Sequence, residues 1–145
     1  MEPVPEMFRR IRTNRRNAIS INCALVSEDY GEKTVAITPA HAMSRICSAE
    51  SDPDEVTIDV PARTLTSILD EVNPPQVDLL SLDVDGFEYE VLRGLDLDRW
   101  KPGLIIVECL TEESRAVIHG ILSCAYDMIA QPTFRDYVYR ARSIA

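Results

Sequence analysis

The sequence predicts an α/β domain, and three observations point to it. Between Val60 and Cys109 the pattern reads helix, strand, helix, strand. The hydrophobic period also switches, from two at Val56, Ile58 and Val60 to helical spacing at Leu65, Ile68, Leu69 and Val72. Finally, Asp83, Asp85 and Glu108 fall at the ends of apolar strands. Open α/β sheets bind ligands beyond the carboxyl ends of their strands. The 145 residues are one domain's length, so residues 1–145 are read as a single unit, short for a complete doubly wound enzyme.

Each element follows from local chemistry. Pro3 and Pro5 open a helix through about Arg16, because a first turn tolerates proline. Ile19–Cys23 and Thr34–Thr38 read as strands, and the turn residues between them, around Gly31, predict a hairpin. The polar stretch Pro39–Asp54 reads as a mobile loop of functional length. Val56–Val60 alternates like a half-buried strand, and the helix from Leu65 is stopped by Asn73-Pro74-Pro75.

Val77–Val84 is apolar almost throughout, as expected of a central strand covered on both faces. Gly86 follows, then a helix turning Phe87, Val91 and Leu92 inward and ending at Gly94. Leu104–Val107 forms a second buried strand. Thr111 caps a helix whose buried face is Val117, Ile118, Ile121 and Leu122. Tyr126–Ala130 and Tyr137–Arg140 close the domain as an antiparallel pair.

Composition narrows the function classes. No apolar run approaches the roughly 20 residues that span a bilayer. The first twenty residues carry two acids and no apolar core segment, so they are not a secretory signal; cytoplasmic is the expected localisation, with no membrane partner. A net charge of −9 argues against nucleic acid, which needs a basic footprint. Arg9, Arg10, Arg12, Arg15 and Arg16 nevertheless cluster on the first helix, where they would suit an anionic substrate or partner but are read in preference as its solvated face. Cys23, Cys47, Cys109 and Cys124 form no C-x-x-C pair; Cys23, Cys109 and Cys124 read as small buried hydrophobes, and no metal site is predicted. His41 lies in a polar loop, and His119 lies on a helix without a partner in sequence.

The acids invite specific chemistry. Asp83-Val84-Asp85 after an apolar strand fits a haloacid-dehalogenase-like phosphatase, but the later strand ends required by that chemistry are absent. It also fits a D-x-D pair holding a hard cation, with nothing else resembling a sugar-nucleotide domain. Asp85 and Glu88, three apart at a helix start, also form an acidic variant of a capping box. No two of the five glycines are close enough to cradle a phosphate or nucleoside.

A longer constellation uses far more residues. Val77-Asp78-Leu79-Leu80-Ser81-Leu82-Asp83-Val84-Asp85-Gly86-Phe87-Glu88, followed by Val91-Leu92-Arg93-Gly94, closely resembles the "iDllKiDvEGaE…vLkG" motif of FkbM-type methyltransferases. Thr64-Leu65 resembles that family's "tLD", Leu104–Glu108 its "iiiE" strand, and Ala125-Tyr126 its "GY". Upstream, Glu2–Phe8 with Asn14 and Ala24–Ser27 with Gly31 resemble two further family segments in the right order. Two departures stand out: Ser81 replaces the family's lysine, and Asp85 replaces its glutamate.

The resemblance implies a Rossmann-like class I sheet and S-adenosyl-L-methionine as cofactor. It also implies O-methylation of a small-molecule or sugar acceptor. By the same resemblance, Glu2 would bind the ribose hydroxyls, Ala24 would lie near the adenine, and Asp83 would face the methionine end or the acceptor. Glu88 and Glu108 would line the acceptor side, where a carboxylate takes a hydroxyl proton. The strand, glycine-rich loop and helix that such a domain places first are expected ahead of Glu2. The chain therefore reads as an incomplete sheet whose open edges an oligomer or a second chain would complete. The rival reading is a non-catalytic remnant or interaction module.

Overall fold

The computed structural model describes residues 1–38, 45–46 and 56–143. Its order is α1 (Pro5–Asn14), β1 (Ala24–Leu25), β2 (Thr34–Thr38), β3 (Arg45–Ile46), β4 (Ile58–Arg63), α2 (Leu65–Val72), β5 (Leu79–Leu82), α3 (Glu88–Arg93), β6 (Leu104–Glu108), α4 (Glu112–Leu122), β7 (Tyr126–Ala130) and β8 (Asp136–Ala141). The strands form two four-stranded sheets, ordered β1-β4-β2-β3 and β5-β6-β8-β7. The fold is mixed α/β, as the sequence predicts.

In the first sheet β1 runs parallel to β4, while β2 is antiparallel to both β4 and β3. The expected hairpin around Gly31 is therefore not formed: β4 lies between β1 and β2. This arrangement sets Val60 directly against Val35 and beside Ile37, all about 1% exposed. Burying those β-branched side chains together outweighs the local turn signal. The strand expected over Ile19–Cys23 is also displaced, for Ile19 is 75% exposed and pairing starts at Ala24. β3 interrupts the stretch read as a loop; His41, Cys47 and the rest of that stretch lie outside the described residues.

In the second sheet β5 and β6 are parallel, and β8 enters antiparallel between β6 and β7. The predicted closing pair is present. β5, however, is an edge strand and not a covered central one. Leu79 is 50% exposed, and only Leu82 of the strand is buried. Among the described residues β6 is its sole partner, so both the free edge and part of one face meet solvent.

The helices cover this sheet for legible reasons. The Thr64 hydroxyl accepts from Ser67 N at 3.1 Å to start α2, and Asn73 ends it in the left-handed region at φ 47°. Thr111 and Ser114 exchange hydrogen bonds as a capping box at the start of α4. Ile118 and Leu122, one turn apart, define the buried stripe of α4; Val117 lies about 100° off it and is 47% exposed, against expectation. Cys124 is exposed in the turn after α4, whereas Cys23 and Cys109 are buried as predicted. The main core joins Val91 and Leu92 of α3, Ile105 and Val107 of β6, Ile118 and Leu122 of α4, and Tyr126 and Tyr139 of the closing pair.

The two sheets are tied through α2 and α3. Thr66 N donates to Gly94 O at 3.0 Å, joining α2 to α3, and Arg93 of α3 pairs with Asp29, just beyond β1, at 2.7 Å. Gly94 closes against Val26, where a β-carbon would overlap the Val26 carbonyl oxygen. No described helix is long and apolar enough to cross a membrane.

Candidate functional site

β5 delivers Asp83 to its carboxyl end, and the chain then turns sharply into α3. Asp85 takes φ 52° and Gly86 φ 101°, both in the left-handed region. An aspartate tolerates that conformation through its short side chain, and glycine lacks the Cβ that would oppose it. Asp83 and Asp85 remain exposed.

Glu88 behaves differently. It is 1% exposed, and its Oε1 accepts hydrogen bonds from Val84 N at 3.0 Å and Gly86 N at 3.1 Å. The capping-box reading of Asp85 and Glu88 is thereby corrected. The N-cap of α3 is Phe87, which makes no side-chain cap bond, and Glu88 reaches backwards into the preceding turn. Amide donors of a tight turn cannot reach the helix ladder, so the nearest carboxylate satisfies them.

β6 brings Glu108 alongside. Leu82 is paired with Val107, so Asp83 and Glu108 leave neighbouring strands at the same level. Oxygens of Asp83, Asp85 and Glu108 all lie within 4.8 Å of one another. A hard cation or a shared proton suits such a trio equally well. The Glu108 side chain is only 19% exposed and has Arg135 3.8 Å away. Its carboxyl is raised above the ordinary glutamate range, first by desolvation and then by the Asp83 charge, against the opposing pull of Arg135; a hydrogen bond with Asp83 and the Glu88 charge add to the rise. Neighbouring Cys109 is pushed up to about 11, chiefly by burial.

A raised carboxyl favours its neutral form in the folded state. Glu108 therefore contributes its full stability below the ordinary value of 4.5, and that contribution is lost as pH rises through the raised one. Glu108→Gln is accordingly expected to melt higher than the parent at pH 8 and at the same temperature near pH 4. A melting difference independent of pH would contradict this assignment.

A cavity of about 600 Å³ runs between β1, α1 and β5. Glu2, Ala24, Asp83 and Asp85 line it; Glu88 and Glu108 do not. The Glu2 carboxylate accepts from Val4 N at 2.9 Å, and Asn22 Nδ2 holds the carbonyls of Glu2 and Pro3 at 2.8 and 2.7 Å. Ala24, on β1, is 4% exposed, so little of it meets the cavity. The structure also brings Arg10, Asn14 and Arg15 of α1 and its flank, together with Ser81 and Phe87, to this cavity. Sequence reasoning treats the arginines as a solvated face, and nothing in their spacing reveals that two of them border a cavity. His119 gains the partner that the sequence conceals, Tyr139, whose hydroxyl lies 3.5 Å from its Nδ1.

Comparison with known proteins adds two matches. Residues 1–137 match the family model described as "Methyltransferase FkbM domain". Over 80 residues the chain is 35% identical to "Methyltransferase 1" of Beauveria bassiana (strain ARSEF 2860), a match covering 54% of this chain and 30% of that protein. The chain thus spans about a third of the length of that relative. No solved structure matches.

Proposed function

The chain belongs to the FkbM methyltransferase family, and from that premise we propose S-adenosylmethionine-dependent methylation of a hydroxyl on a small molecule or sugar. The observation that carries the reading is the meeting of Glu2, Ala24 and Asp83 on one cavity, with Glu108 outside its wall but grouped with Asp83 and Asp85. A volume of about 600 Å³ lies within the usual range for cofactor pockets. Carboxylates along the wall suit a ligand that bears a ribose diol and a cationic centre.

In this reading Glu2 accepts from the ribose hydroxyls through the oxygen that does not serve Val4, and Ala24 leaves room for the adenine. The cofactor, when bound, supplies a methyl group on a sulfonium that departs as a neutral thioether. Asp83 faces that positive centre or the acceptor. Glu108, whose carboxyl desolvation and Asp83 raise above the ordinary range, takes the acceptor's hydroxyl proton in its ionised form as the oxygen–carbon bond forms. Glu88 is buried and is not assigned a proton-transfer role.

The test is isothermal titration of the 145-residue chain with S-adenosylhomocysteine. Saturable binding that Asp83→Asn weakens supports the reading, and the absence of saturable binding overturns it for this chain. A second reading, an interaction module, is favoured by the edges of β1 and β5, which border the same cavity and each pair on one side only among the described residues. Self-association in sedimentation without cofactor binding would favour this second reading.

A further inference from the structure

We propose that Glu88 is a positioning residue: a buried latch whose single oxygen, bridging the amides of Val84 and Gly86, sets the turn that aims Asp83 and Asp85 toward Glu108. Its relevance to methyl transfer rests on the function proposed above; the geometry itself does not. A carboxylate is costly to bury, and Glu88 at 1% exposure offsets that cost only through its hydrogen bonds. Its two donors flank Asp85, the one non-glycine residue of the turn held at positive φ. An aspartate tolerates left-handed backbone better than most residues, yet the conformation still costs free energy, which the two hydrogen bonds around it help to offset.

The latch also has a mechanical reason to be a glutamate. Glu88 opens α3, whose Val91 and Leu92 are locked in the core at 0% and 2% exposure, so its backbone is fixed from below. From that anchor the carboxylate reaches back four residues to Val84 and two to Gly86. A side chain one methylene shorter cannot bridge both amides from the same place. Asp83 immediately precedes Val84 and Asp85 immediately follows it, so freeing the turn frees both carboxylates that face Glu108.

Glu88→Asp separates reach from charge, since it retains the carboxylate but shortens it. Two readouts follow the turn without any substrate: amide hydrogen exchange at Val84 and Gly86, and the carboxyl titration of Glu108 by ¹³C NMR. In Glu88→Asp the two amides are expected to exchange about tenfold faster or more. The Glu108 titration is expected to move down toward the ordinary range as Asp83 swings away, although the charge at position 88 is unchanged. Ile118→Val, a remote core change, lowers stability without altering either readout; if it moves them equally, the effect is merely structural and the latch is overturned.

Unchanged exchange and an unchanged Glu108 titration in folded Glu88→Asp also overturn it. Should that variant fail to fold, Glu88→Gln decides, because its amide oxygen has the original reach. It is expected to keep Val84 and Gly86 protected, and free exchange at both amides in a folded Gln variant refutes the bridge. Titrating the same proteins with S-adenosylhomocysteine keeps the two ideas apart. A parent that binds nothing would remove the methyltransferase reading while leaving the latch to stand or fall on exchange and titration.

Discussion

Gly94→Ala is expected to lower the unfolding free energy by about 3 kcal/mol, the upper part of the range for forcing a methyl into a packed interior. The added carbon would overlap the Val26 carbonyl oxygen and lie 3.2 Å from the Val26 carbonyl carbon. Neither side can give way cheaply. Val26 is 6% exposed and its N–H is bonded to Arg63 O, while Gly94 O accepts from both the amide and the hydroxyl of Thr66 at 3.0 Å. The φ of Gly94 is −90°, so the position needs glycine for the close approach and not for its backbone conformation.

Gly120→Ala supplies the control. Nothing lies within 4 Å of a β-carbon there, and the site is inside α4, so the same substitution is expected to stabilise by about 0.5–1 kcal/mol. Urea midpoints with an unchanged m-value would report both. A loss below about 0.5 kcal/mol in Gly94→Ala would mean that the contact between the two sheets is loose. The consequence reaches the site, because Gly94 ends the helix that Glu88 begins. Pushing α3 off Val26 would shift the turn that carries Asp83.

The element order of the second half was legible because local and tertiary signals agree there, although β5 lies at a sheet edge and not in the centre, and Val117 and Cys124 are exposed. The stop at Asn73, the cap at Thr111 and the closing antiparallel pair all appear where the residues place them. The first half was less so. Around Gly31 the turn residues announce a hairpin, yet the apolar faces of Val35, Ile37 and Val60 bring β4 between the two candidate strands. Pairing between distant strands leaves no mark in a short window.

At the site, the motif located Asp83 and Glu108 but not what surrounds them. The reach of Glu88 into the turn depends on two backbone angles, at Asp85 and Gly86, that no side-chain pattern encodes. The same holds for Arg10 and Arg15. A row of arginines on an exposed helix reads as solvated, and only the placement of α1 across the cavity from β5 brings two of them to its wall.

Ile105→Ala is the other large effect, with an expected cost of about 3–4 kcal/mol from lost burial and an uncollapsed cavity. Ile105 is 0% exposed on β6, the one strand of the second sheet that joins its parallel and antiparallel parts. It sits between Leu80 of β5 and Tyr139 of β8, and Tyr139 is itself fully buried. Neighbours held on both sides by ladder hydrogen bonds cannot move in to fill the space, which places the cost toward the upper range. Leu104→Ala, one residue away, is expected to cost under about 1 kcal/mol, because that side chain is already 36% exposed. The contrast tests a specific point. Leu104–Val107 is apolar without interruption, yet β6 alternates between outer and inner positions as if only half of it were needed for the core. Equal losses at the two positions, read from chemical unfolding, would mean that β6 is covered on both faces in solution. Exposed Leu104 would then have a partner that the four described strands of its sheet do not provide. The inequality expected here instead leaves the Leu104 face open and puts the register of Glu108 in the hands of Ile105 and Val107, the two residues that anchor its strand in the core.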